Sequence, residues 1–145
     1  MASYRHLARI AVMQTIFEYE FLQKLEEKKD LDVKSMLAYN IRQLSSKIKD
    51  KSFANDTLDG VIKNLKKIHK IIAENAPEWP VEKIAPVDRA ILEIGVYEIV
   101  FSEEVPPVVA INEAIEISKV YGDTNSPKFI NGVLSSVMTK HNKKK

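Results

Sequence analysis

The chain has 145 residues, 45% of them hydrophobic, with no cysteine and a formal net charge of +2. That length suits a single domain able to bury roughly 70% of its unfolded surface. The lack of cysteine excludes a disulfide framework, a thiolate metal site and a catalytic thiol, and it fits a reducing compartment.

No apolar run approaches the ~20 residues that span a bilayer. The N-terminal stretch MASYRHLARIAVMQ scatters charges among its apolar residues, unlike a secretory signal. The expectation is a soluble cytoplasmic protein. Residues 1–75 carry 14 Lys/Arg against 10 Asp/Glu, whereas residues 76–142 carry 5 against 10, and Lys143, Lys144 and Lys145 form a basic tail. A basic front half suits a polyanion and an acidic back half suits a basic partner; solvated faces would show the same charges.

Apolar residues recur at helical spacing. In the first segment Leu7, Ile10, Ala11, Phe17, Phe21 and Leu25 make a stripe, with Ser3 as N-cap. A second segment follows Asp32 and places Met36, Leu37, Ile41, Leu44 and Ile48 on one face. A third follows Asp56, with Asp56 and Asp59 in its first turn and Leu58, Ile62, Leu65, Ile68 and Ile72 as its stripe. Pro77, Pro80 and Pro86 then interrupt, which predicts a joint between helical subdomains at residues 1–76 and 81–142, with Trp79 packed in it.

Beyond the joint, PVDRAILEIGVYEIVF is apolar on all sides and predicts a buried helix. PVVAINEAIEISKVYG opens on a proline and closes on Gly122, with Val108, Ile111, Ala114 and Ser118 on its inner face. The last segment begins with Ser126 as N-cap and Pro127 in the first turn; Ile130, Val133, Leu134, Val137 and Met138 follow at helix spacing. Asn131 and Gly132 lie inside it, and Asn-Gly is a strong hairpin signal. The flanking residues do not alternate, so the helix reading wins. Either Gly132 marks close approach of another helix, with Asn131 and the Asn112–Glu113 pair locking the last two helices together, or both polar pairs face solvent.

Catalytic signatures are absent. His6, His69 and His141 lack metal-ligand spacing, so no metal is expected. There is no phosphate-binding glycine loop and no nucleophile elbow. The chain reads as a non-enzyme with no cofactor. Basic groups are more informative. Arg5, His6 and Arg9 lie on the first turns of the first helix, and Lys63, Lys66, Lys67 and Lys70 line the outer face of the third, where a solvated face is the simpler reading.

PVDRAILEIGVYEI, VPPVVAINEAIEISKVYG and SPKFINGVL together resemble the NusB family of bacterial transcription antitermination factors. Asp88, Arg89, Leu92, Tyr97, Glu98, Ile111, Asn112, Glu113, Ala114, Lys119, Tyr121, Gly122, Lys128, Phe129, Asn131, Gly132 and Leu134 match its pattern. Arg5, Arg9, Ala11, Gln14 and Phe17 match a looser one.

The resemblance implies an all-α fold of about seven helices in two small bundles packed at an angle. It implies a protein that binds boxA-type single-stranded RNA of ribosomal operons together with the ribosomal protein NusE, and that joins other Nus factors on RNA polymerase. It leaves a homodimer open. By the same resemblance the RNA surface comprises Arg5, His6, Arg9, Asn125, Ser126, Lys128 and Phe129, and the NusE surface includes Phe17 and Asp88. Arg5 and Arg9 would hold phosphates, and Phe129 would stack an unpaired base. Two departures stand out: Tyr4, His6 and Leu7 occupy a region where the family is denser in arginine, and Glu93 stands where it often has arginine. Two alternatives are an N-terminal RNA-binding domain of an rRNA cytosine methyltransferase and a helical adaptor that binds only protein.

Overall fold

The computed structural model describes residues 3–26, 30–44 and 51–141. The described elements are helical throughout. They are α1 (Tyr4–Glu26), α2 (Val33–Leu44), α3 (Ser52–Lys63), α4 (Leu65–Asn75), a short 3₁₀ turn (Val81–Lys83), α5 (Pro86–Val96), a π-helical turn (Tyr97–Phe101), α6 (Pro107–Tyr121) and α7 (Ser126–Lys140). No described helix is long and apolar enough to cross a membrane. Ile48 and the lysine tail lie outside the described residues.

The chain divides into two compact units, Met1–Asp59 and Gly60–Lys145. The division falls inside α3, ahead of the proline-rich stretch that the sequence suggested. The reason is that α4 packs on α5 and α7, which assigns it to the second unit.

In the first unit, α1 and α2 pack together. Ser3 caps α1 as expected: its Oγ accepts the His6 backbone N–H at 3.0 Å. Asp32 caps α2, with Oδ1 accepting the Ser35 N–H at 3.2 Å and Oδ2 accepting its hydroxyl at 2.8 Å. These bonds hold the Asp32 carboxyl below its ordinary pKa.

The core of α1 is Ala8, Ile10, Ala11, Val12, Met13 and Ile16, while Phe21 and Leu25 of the expected stripe are exposed. The buried amide of Asn40 on α2 donates to Thr15 Oγ1 at 2.9 Å and Glu18 Oε1 at 3.0 Å on α1, so the pair is joined by a satisfied polar link as well as by packing.

The expected third helix is two. It begins at Ser52, which places Asp56 and Asp59 in the body of α3, and Asp59 pairs with Lys34 at 3.2 Å. It breaks at Asn64, whose side-chain amide donates to the Gly60 carbonyl at 2.8 Å. Ile68, Ile71 and Ile72 bury the inner face of α4.

The second unit is built around α5, buried from Ala90 to Val96 as the sequence implied. Its close approach to α7 occurs at Gly95, where an added Cβ would stand 2.6 Å from Leu134 Cδ1. Gly132 has nothing within 4 Å of such a Cβ. Asn112 and Asn131 are exposed, and the Asn131 carbonyl oxygen accepts only the Ser135 hydroxyl, at 3.0 Å.

Asn112 and Asn131 therefore do not lock the last two helices together. The polar link to α7 comes from α4 instead: the Ser136 hydroxyl donates to Asn75 Oδ1 at 2.6 Å. On α6, Val108 is exposed and Ala110, Ile111, Ala114, Ile117 and Ser118 form the inner face. Glu93, which stands where the family often has arginine, is fully buried, and its Oε2 lies 2.6 Å from His69 Nε2.

Candidate nucleic-acid interface

The first cluster is on the first unit. Residues 5 and 9 are one helical turn apart, so α1 projects Arg5 and Arg9 in the same direction. Both meet Phe53, at the start of α3. The guanidinium carbon of Arg5 stands 4.5 Å from the ring centroid and that of Arg9 stands 5.0 Å away. A cation held over an aromatic face is attracted by the ring quadrupole and loses conformational freedom.

The two arginines differ in access. Arg5 is exposed, while Arg9 is only 4% exposed. Arg9 is thus part of the packed structure, although the resemblance assigned both arginines to phosphates. Arg5, with half-buried His6, is the cationic group that solvent can reach. Phe53 was missed in the sequence; its signal was a lone aromatic in the otherwise small and polar run KSFAND.

The second cluster is on the second unit, where α6 turns into α7. Asp123 organises the turn: its backbone N–H donates to Ser126 Oγ at 2.9 Å, and its Oδ1 accepts the Asn125 N–H at 2.9 Å. Asn125 occupies the N-cap position and Ser126 the first helical position, so the helix begins one residue earlier than expected. Ser126 is 2% exposed, and its hydroxyl accepts the Asp123 N–H and donates to Asp123 Oδ1 at 3.2 Å. It shapes the turn and is not open to a ligand. Lys128, on the first turn of α7, is exposed.

Asp88 lies in the first turn of α5 and is 8% exposed. Burial pushes its carboxyl above the ordinary value, the Ser126 hydrogen bond pulls it back in part, and the Asp123 charge adds to the rise.

These residues share one cavity of about 470 Å3, lined by Asp88, Asn125, Ser126, Phe129, Lys83 and Trp79 among others. Trp79 is 51% exposed on its wall, not packed in a joint. The only Trp of the chain, in a proline-rich stretch, was the signal for a surface aromatic. The cavity therefore offers two aromatic side chains, an amide and charges of both signs. Such a concave, mixed surface suits a flat heteroaromatic group bearing hydrogen-bond donors.

Phe17 is on the first unit, half-buried, and stacks on exposed Phe21 with ring centroids 6.2 Å apart and planes 10° from parallel. Asp88 and Phe17, assigned together from the sequence, thus belong to different units, and Asp88 adjoins residues assigned to RNA.

The family model of the NusB family matches residues 6–139. The chain belongs to the NusB family. The "Transcription antitermination protein NusB" of Bacillus pumilus is 35% identical over 133 residues, 92% of this chain and 93% of that protein. Among solved structures, NusB of T. maritima superposes with a TM-score of 0.80 at 32% identity, covering 99% of this chain and 96% of that one. A structure of antitermination factors NusB and NusE in complex with dsRNA superposes with a TM-score of 0.79 at 23% identity, covering 97% and 99%. This last likeness shows the NusB fold alone.

Proposed function

We propose that the chain is a transcription antitermination factor that binds boxA-type RNA of ribosomal operons together with the ribosomal protein NusE, and so joins other Nus factors on RNA polymerase. It acts by binding and not by catalysis, in the cytoplasm. The observation that carries this reading is the meeting of Asn125, Ser126 and Phe129, which the resemblance assigns to the RNA surface, with Asp88 around one cavity, in a chain whose family match runs through residues 6–139. The relatives named above bear the antitermination function in their names, and a structure of the same fold holds NusB with NusE and dsRNA.

On this reading Arg5 and Lys128 contact phosphates, with His6 beside Arg5. Arg9 positions Arg5 through the shared Phe53 ring. Phe129 stacks an unpaired base at the cavity, Asn125 offers an amide to its edge, and Ser126 is a positioning residue. Phe17, with Phe21, presents an aromatic face to the ribosomal protein, and Asp88 offers it an anionic group beside the RNA.

The test is a titration with single-stranded boxA-type RNA, its duplex form and an unrelated RNA, each with and without NusE. Tighter binding of the single-stranded boxA-type RNA when NusE is present is expected. Equal affinity for all three RNAs in both conditions would remove the reading. Neither alternative, a methyltransferase appendage or a protein-only adaptor, has an observation in its favour.

A further inference from the structure

We propose that the outer face of α4 is a second RNA-backbone surface, formed by Lys66, Lys67 and Lys70 and continued by Lys63 at the end of α3. It rests on the reading above and lengthens the RNA footprint beyond the Trp79–Phe129 cavity.

All four lysines are exposed. The opposite face of α4 is fixed by burial of Ile68, Ile71 and Ile72, so the helix cannot turn its lysines inward. Lys66 and Lys70 are four apart and Lys67 and Lys70 three apart, spacings that place like charges side by side on a helix and oppose its formation. Of the other described lysines two are paired, Lys119 with Glu116 at 3.0 Å and Lys34 with Asp59 at 3.2 Å. Among the described residues none of the four has a carboxylate partner. The rest of the second unit runs the other way in charge, with 8 Lys/Arg against 11 Asp/Glu once the lysine tail is counted. A row of unneutralised cations in an otherwise acidic unit is complementary to a phosphate backbone.

Position favours the same occupant. After α4 the chain makes one turn, in which the Trp79 N–H donates to the Ala76 carbonyl at 3.1 Å, and Trp79 then forms part of the cavity wall. Lysine face and cavity are consecutive stretches of one compact unit. Lys66 and Lys70 are separated by about 6 Å along the helix axis, which lets them engage neighbouring phosphates of a strand whose base is held at the cavity.

The test compares the parent with the triple variant Lys66→Gln, Lys67→Gln, Lys70→Gln; glutamine keeps the helix propensity. Each is titrated over a salt series with a short boxA-type RNA and with the same RNA lengthened at both ends. The expected result is unchanged binding of the short RNA, about a tenfold loss on the long one at low salt, and a salt slope on the long RNA shallower by about 2, the share of three phosphates on a single strand. Circular dichroism and the melting curve should match the parent or improve.

Parental affinity and slope on the long RNA would overturn the proposal and leave the antitermination reading intact. If such a variant also lost binding to purified RNA polymerase, the face would be a protein contact, and the proposal would again fall. Equal losses on both RNAs would place the lysines in the primary site, against a second surface. A parent that binds neither RNA would remove the functional reading itself, and this extension with it.

Discussion

The guanidinium carbon of Arg9 lies 5.0 Å from the centroid of the Phe53 ring, and Arg9 is 4% exposed. Arg5 uses the same ring from 4.5 Å but stays open to solvent. One aromatic thus gives two arginines of the same helix different tasks. Arg5→Glu is expected to leave the melting temperature nearly unchanged while weakening RNA binding and flattening its salt slope by about one phosphate contact. Arg9→Glu is expected to lower the melting temperature clearly, because it buries a carboxylate where a cation was held. Equal melting temperatures for the two variants would show that Arg9 is not part of the packing.

Glycines separate in the same way. Gly132 is exposed with open space around it, so Gly132→Ala should stabilise the protein by about 1 kcal/mol through better helix propensity. At Gly60 an added Cβ would stand 2.1 Å from Tyr97 Cε1, so Gly60→Ala forces the ring to move and should cost about 1–3 kcal/mol. Chemical denaturation of the two variants decides the matter, and a destabilised Gly132→Ala would mean that a neighbour packs there after all.

Asp88 makes stability depend on pH. Its carboxyl is raised chiefly by burial, so the folded protein holds that proton more tightly than the unfolded chain. Stability therefore falls as pH rises from the ordinary carboxyl value of 3.8 through the raised folded value, and stays reduced above it. Asp88→Asn retains a hydrogen-bonding group for Ser126 and should be more stable than the parent at neutral pH, with the difference vanishing in acid. A variant less stable than the parent at neutral pH would show that the dipole of α5 stabilises the carboxylate more than burial opposes it.

Phe129 and Trp79 flank one cavity, so each should contribute to holding an unpaired base. Phe129→Ala is expected to cost roughly 1–3 kcal/mol of RNA affinity with little change in salt slope, since stacking releases no counterions. Trp79→Ala should do the same without loss of stability, because its side chain is half exposed. Binding unchanged in both variants would move the base elsewhere.

His69 and Glu93 make a further test of the second unit. Glu93 is fully buried and its Oε2 is 2.6 Å from His69 Nε2. His69→Ala would leave a carboxylate buried without that partner, at a cost of about 3 kcal/mol. The double variant with Glu93→Gln should recover part of that loss, and thermal melts of the single and double variants would show it. No recovery would mean that the charge of Glu93 is not what His69 compensates.

The sequence alone determined the helical class, the cap at Ser3, the buried α5 and the stripe of α7, because all of these follow from neighbours three and four residues apart along one helix. It also held the family pattern, since that pattern is a matter of spacing. Only the tertiary structure decided which glycine serves close packing, Gly95 and not Gly132, because that depends on where Leu134 of another helix falls. The same holds for the burial of Arg9 on Phe53, the cavity that joins Asp88 to Phe129, and the pairing of Glu93 with His69. In each case the partners are 24 or more residues apart, and helix periodicity carries no information about which faces meet.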